Sequence, residues 1–148
     1  MKMTHTMSFG FNNIDVISAS DPYYIQFLKR GGGYGIGLCN REDGLYWAKA
    51  SNLGADNQTR ICDTLTGKTF ITMVWNGTNI DIYINSEKVT SVPYASTHCN
   101  GAFFNIWTFY STESMHTSYF SELQLATLHT RVLTDEEILQ NYNAYLGV

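Results

Sequence analysis

The chain has 148 residues, a net charge of −4 from 9 basic and 13 acidic residues, and an aromatic share of 14% against 15% charged. A single domain of this length, spanning residues 1–148, buries roughly 68–70% of its unfolded surface and needs no covalent staples. No basic stripe exists to displace counterions from phosphates, which argues against nucleic acid as a partner, and no run approaches the ~18 apolar residues of a membrane span.

The chain opens with Met1-Lys2-Met3-Thr4-His5-Thr6, one lysine with no apolar stretch behind it, so no signal peptide is expected in this chain. Met7–Phe11 alternates and predicts a strand. Asn12-Asn13 predicts a turn, and Ile14–Ala19 a short strand ended by Ser20-Asp21-Pro22. Tyr23–Leu28 reads as the next strand and Lys29–Gly33 as a loop. Tyr34–Cys39 resumes strand, with Gly35 and Gly37 on one face. The glycines Gly31–Gly33 are followed by neither a Lys-Ser/Thr pair nor a helix, so they do not make a phosphate loop. Asn40–Gly44 predicts a polar turn, Leu45–Ala48 a strand, Ser51–Arg60 a loop, and Asp63–Lys68 a turn.

The strongest pattern is Thr69–Thr90. Phe70, Thr72 and Val74 alternate with Ile71, Met73 and Trp75, and Ile80, Ile82 and Ile84 alternate with Asp81, Tyr83 and Asn85. This period of two predicts two strands with one face on a core. Asn76-Gly77 between them predicts the hairpin turn, because both residue types tolerate positive φ. Asn85-Ser86-Glu87 predicts a second turn, with Lys88–Thr90 starting back. Pro93–Gly101 reads as a loop. Ala102–Tyr110 is the most aromatic strand, apolar on both faces, and Tyr119–Leu128 is the last long strand. Thr134-Asp135-Glu136-Glu137 is a capping box opening a helix to Leu146, with Ile138, Leu139, Tyr142, Tyr145 and Leu146 as its apolar stripe and Gly147 as its stop.

In Met73–Asn85 a strand ends in Trp, a tight turn follows, and the returning strand carries a Tyr flanked by apolar residues. In Leu128–Ile138 a strand passes through Arg131-Val132-Leu133 into the Thr-Asp-Glu-Glu-Ile helix start. The two stretches, in this order, resemble the laminin-G-like, concanavalin A-like jelly-roll family. The resemblance covers Phe70–Tyr145 well and the first half weakly. It implies an all-β, two-sheet antiparallel jelly-roll sandwich with one short C-terminal helix, an arrangement the alternation itself requires. The family's customary opening strand lacks a counterpart here, which implies either a trimmed domain or an edge completed by another subunit.

The same fold hosts retaining glycanases, which need two carboxylates about 5–5.5 Å apart. No strand carries carboxylates at alternate positions, Asp81 stands alone in its strand, and Ser111, Ser114 and His116 have no acid placed to orient the imidazole. The chain is therefore read as not an enzyme. Three cysteines, Cys39, Cys62 and Cys99, without a CxxC pair, read as free thiols. No metal site and no cofactor are assigned; Asp56-Asn57 and Asp63 are the residues that would suit a calcium ion.

The resemblance implies a carbohydrate-binding or adhesion module, extracellular or on a virion, whose partner is a glycan or cell-surface receptor. The rings available to lie under a sugar are Trp107, Tyr110, Trp47 and Tyr34, with Asn105 and His98 as polar contacts. The alternative is a structural component of a phage particle, a capsid decoration or tail protein, using the same sandwich for protein contacts as a homo-oligomer or larger assembly.

Overall fold

A computed structural model of the chain describes residues 4–14, 16, 25–30, 34–50, 58–93, 108–109 and 122–148. Its strands are β1 (Thr4–Phe11), β2 (Ile25–Arg30), β3 (Tyr34–Arg41), β4 (Gly44–Ala50), β5 (Gln58–Cys62), β6 (Thr69–Asn76), β7 (Asn79–Ile84), β8 (Glu87–Pro93), β9 (Thr108–Phe109) and β10 (Leu123–His129), followed by helix α1 (Asp135–Leu146). The expected class holds: two antiparallel sheets and one C-terminal helix. The chain divides into two compact units, the first of Met1–Ile14, Thr66–Ala95 and Ser121–Val148, the second of Asp15–Leu65 and Ser96–Phe120.

The first unit is the five-stranded sheet β10-β1-β6-β7-β8 with α1 on one face. Strand β6 is central, and Phe70 to Trp75 are buried on both of its faces. Register sorts the faces. Ile71, Met73 and Trp75 lie opposite Ile84, Ile82 and Ile80, and Phe9 and Met7 lie opposite Ile71 and Met73 from the other side. All of these side chains are buried, so the alternation seen in the sequence corresponds to one continuous apolar face.

The other face carries Thr6, Ser8, Gly10, Phe70, Thr72, Val74 and Tyr83. Thr6, Ser8 and Thr72 are fully buried there, with their hydroxyls paired. Ser8 Oγ and Thr72 Oγ1 lie 2.9 Å apart. Thr6 Oγ1 donates to the Arg131 carbonyl at 2.9 Å and accepts from Leu133 N at 3.0 Å, which pins the segment leading into the helix. The helix covers this face. Ile138 is fully buried against Val74, Tyr83 and Leu133. The Tyr145 ring stacks on Phe70 with centroids 5.3 Å apart, and its hydroxyl donates to the Phe11 carbonyl. Gly10 makes that approach feasible, because a Cβ there would sit 2.5 Å from Tyr145 Cε2.

The capping box forms as read. Glu137 N donates to Thr134 Oγ1 at 3.3 Å, and Thr134 N donates to Glu137 Oε2 at 2.9 Å. Arg131 grips the same carboxylate with both terminal nitrogens. Gly147 closes the helix at φ 81. The stripe is narrower than expected: Leu139 is 47% exposed and Leu146 37%. Ile138, Tyr142 and Tyr145 face the sheet, and the stripe's other edge is left to solvent.

The hairpin turn is shifted by one residue. Gly77 takes positive φ (94) and Asn76 does not; the loop is Gly77-Thr78. Asn76 acts through its side chain instead, its Oδ1 accepting from Asn79 N at 2.9 Å and Thr78 N at 3.2 Å. The second turn is as expected, with Asn85 at φ 50 and Ser86 at φ 70.

The second unit is the sheet β5-β4-β3-β2-β9. Two stretches expected as loop are strand here. Lys29-Arg30 extends β2, opposite Gly35 and Tyr34. Gln58–Arg60, the end of the expected Ser51–Arg60 loop, joins Ile61-Cys62 as β5 and pairs with β4 at an edge of the sheet. Ile14 and Val16 lie outside any strand, and the remainder of the expected Ile14–Ala19 strand falls outside the described residues. Of the aromatic stretch Ala102–Tyr110, only Thr108 and Phe109 are described; they pair with Gln26 and Ile25.

Candidate functional site

The second sheet holds the described surface that best suits a ligand. On β4, Leu45 and Trp47 point to one face and Tyr46 to the other. Register places Tyr46 between Cys39 of β3 and Arg60 of β5, and Arg41 shares that face two residues on from Cys39. Three neighbouring strands thus bring Arg41, Tyr46 and Arg60 together across a stretch of sequence.

Their bonds are specific. The Arg41 guanidinium lies over the Tyr46 ring, 5.5 Å from its centroid. The Tyr46 hydroxyl donates to Asp43 Oδ2 at 2.7 Å, and that bond, with burial and the Asp43 charge adding to it, raises the phenol's pKa. Arg60 Nε donates to the Asp43 carbonyl at 3.1 Å, and its Nη2 bonds Asp63 Oδ1 at 2.6 Å. Gly44 makes room for this. Its φ is +145, and a Cβ would meet Arg60 Nε at 2.7 Å and the Cys62 carbonyl at 2.8 Å.

The 64–65 segment is fastened beside β3. Asn40 Nδ2 donates to the Leu65 carbonyl at 2.8 Å, Leu65 N donates to Asn40 Oδ1 at 2.9 Å, and Thr64 Oγ1 donates to the Arg41 carbonyl at 2.6 Å. This fixes Asp63, and through it Arg60, relative to Arg41. Cys39 beneath is buried; burial pushes its thiol up to about 12 against the opposing pull of Arg41, so it stays neutral.

The residues expected at the site divide into two groups. Trp107, Asn105, Tyr110 and His98 lie outside the described residues. Tyr34 opens β3 opposite Arg30, and Trp47 lies opposite Leu38, so both belong to this sheet. Trp47 is 2% exposed, which corrects its assignment: the ring packs inside with Leu38 and Leu45 rather than offering a face to a sugar. Arg41, Tyr46 and Arg60 escaped the sequence reading because β4–β5 pairing, through a strand taken for loop, is what unites them. The detectable signal was the polar stretch Asn40–Gly44, expected as a turn; only Glu42-Asp43 turn, and Asn40, Arg41 and Gly44 belong to the strands.

For metal, Asp56 and Asn57 lie outside the described residues and Asp63 is engaged by Arg60. Among the described residues no group of three or more His, Cys, Asp or Glu is placed to hold an ion. Cys39 and Cys62 are free thiols, and Cys99 is outside the described residues. Among the described residues no helix is long and apolar enough to cross a membrane. A concavity of about 450 Å³ lies on the outer side of α1 between Glu136, Leu139, Gln140, Asn143, Ala144 and Val148. It offers no aromatic ring and no cation.

No protein-family model matches the chain, and no curated protein matches it in sequence. Solved structures do match in fold. A structure of botulinum neurotoxin type C, a toxin that interacts with two ganglioside molecules, aligns at a TM-score of 0.60 and 16% identity over 98% of this chain. The alignment spans 36% of the neurotoxin chain, so this protein corresponds to about a third of it. Domain 4 of AbnA, an extracellular arabinanase from Geobacillus stearothermophilus in complex with arabinotriose, aligns at 0.62 and 13% identity, covering 93% of this chain and 66% of that one. A Trypanosoma rangeli sialidase aligns at 0.61 and 16% identity, covering 95% and 23%. At these identities the likeness is one of fold, and it fits a jelly-roll-like β architecture shared with binding domains.

Proposed function

We propose that the chain is a single non-catalytic module that binds carbohydrate outside cells or on a virion surface. The observation that carries this reading is the fold likeness over nearly the whole chain to structures of a ganglioside-interacting toxin and of an arabinotriose-bound domain. The Arg41–Tyr46–Arg60 surface supplies what sugar recognition needs: a partly exposed ring and planar donors held in place. Tyr34 lies in the same sheet, and Trp107, Asn105, Tyr110 and His98 remain proposed contacts. A non-catalytic role is favoured because two carboxylates of this surface are engaged, Asp43 by Tyr46 and Asp63 by Arg60, which leaves Glu42 without a second free carboxylate to work with.

The competing reading is an assembly protein, and the exposed Leu128, Leu139, Leu146 and Val148 of the first unit favour it. A glycan array run beside size-exclusion chromatography with light scattering separates the two. Binding to defined saccharides supports the carbohydrate reading. A stable oligomer with no saccharide bound overturns it in favour of assembly.

A further inference from the structure

We infer that the Arg41–Tyr46–Arg60 surface takes its saccharide by a carboxylate, with the acid group on the Arg41 guanidinium and the sugar ring against Tyr46. The inference rests on the carbohydrate reading above and narrows it to acidic sugars.

Arginine carries a permanent charge and five N–H donors in a planar fork that matches a carboxylate. The other two arginines with described side chains both have acids: Arg60 holds Asp63, and Arg131 holds Glu137. Arg41 has none among the described residues. Its Nε is buried and bonded to no acceptor. Four other buried polar atoms among the described residues also lack a partner, Trp47 Nε1, Trp75 Nε1, Asp81 Oδ1 and Thr127 Oγ1; Arg41 is the one cation among them, and a charged group left unpaired is the costlier case. The position is nevertheless well built. The Arg41 carbonyl is fixed by Thr64, the guanidinium rests over Tyr46, and Asn40 fastens the adjoining loop.

The local acids do not fill the role. Asp43 accepts from Tyr46, Asp63 pairs with Arg60, and Glu42, exposed in the β3–β4 turn, makes no ion pair with Arg41. The surface thus presents a guanidinium with no acid partner over an aromatic ring, and a second guanidinium, paired with Asp63, two strands away on β5. A neutral sugar would use the ring and leave the charge unanswered. A sugar acid answers both.

The test is isothermal titration calorimetry of the full chain with sialyllactose and trigalacturonate, their methyl esters, lactose, arabinotriose and acetate. The expected result is at least tenfold tighter binding of one free acid than of its methyl ester. That preference should weaken with added salt and disappear in Arg41→Ala. Arg41→Lys keeps the charge without the fork, and should lose most of the preference while melting like the parent chain, which separates recognition from misfolding. If neutral saccharides bind as well as acids, or if Arg41→Lys and Arg41→Ala retain the acid preference, this inference fails while the carbohydrate reading stands. If acetate binds as tightly as the saccharide acids, the site reads a bare anion and the inference fails. If no saccharide binds, the carbohydrate reading falls and this one with it.

Discussion

Replacing Ile138 by alanine tests how α1 is attached. Ile138 is fully buried among Val74, Tyr83 and Leu133. The change removes three carbons, worth about 0.8 kcal/mol each in transfer, so about 2.4 kcal/mol before any cavity term. The helix is held from above by the capping box and from below by Tyr145 on Phe70, so the site cannot fully collapse. The cavity term then brings the loss to about 3–4 kcal/mol, inside the ~2–5 kcal/mol range for such truncations. Leu139→Ala, one residue on at a side chain 47% exposed, should cost less than about 1 kcal/mol. Urea unfolding followed by circular dichroism measures both through the shift in midpoint at constant slope. A loss below about 0.5 kcal/mol for Ile138→Ala, or equal losses for the two variants, would refute the helix docking described.

Gly10→Ala should destabilise by about 1–3 kcal/mol through overpacking, because the new methyl meets Tyr145 at 2.5 Å; Tyr145→Ala in the same background should remove the penalty. Gly44→Ala should also cost about 1–3 kcal/mol, from its φ of +145 and the Cys62 carbonyl in its way, and should move the amide signals of Asp43 and Arg60. Glu137 has its pKa lowered from 4.5 to about 2, chiefly by Arg131 and then by Thr134 N. A depressed carboxylate stabilises above its unfolded pKa, so this contribution is present above pH 4.5 and is lost as pH falls from 4.5 through about 2. Carbon-detected NMR should find the Glu137 midpoint near that lower value, and Arg131→Gln should return it toward the ordinary one; an unmoved midpoint would mean the ion pair does not form in solution.

The first sheet was legible in the sequence wherever burial is one-sided or complete. The Ile80-Ile82-Ile84 alternation, the central Phe70–Trp75 run and the Thr134 capping box each follow from a strong local cause. The hairpin turn was legible to within a residue. Asn76 and Gly77 both tolerate positive φ, and only the side-chain bonds of Asn76 to Thr78 and Asn79 decide that glycine alone uses it. Edge strand β5 was not legible. Gln58-Thr59-Arg60-Ile61-Cys62 has two exposed residues and none buried, so hydrophobic alternation carries no signal there. The helix stripe was legible, but which of its edges meets the sheet depends on where Phe70 and Gly10 stand, and that is set by tertiary register. The same holds for Arg60, which joins Arg41 and Tyr46 only after β5 pairs with β4.

The most direct test of the carbohydrate reading is a ¹⁵N NMR titration of the full chain with a saccharide it binds. The account predicts amide shifts in the second sheet, centred on Arg41, Asp43, Tyr46 and Arg60, with the helix residues Ile138–Tyr145 unmoved. Shifts confined to the helix and the first sheet, or no shifts with any saccharide, would contradict it.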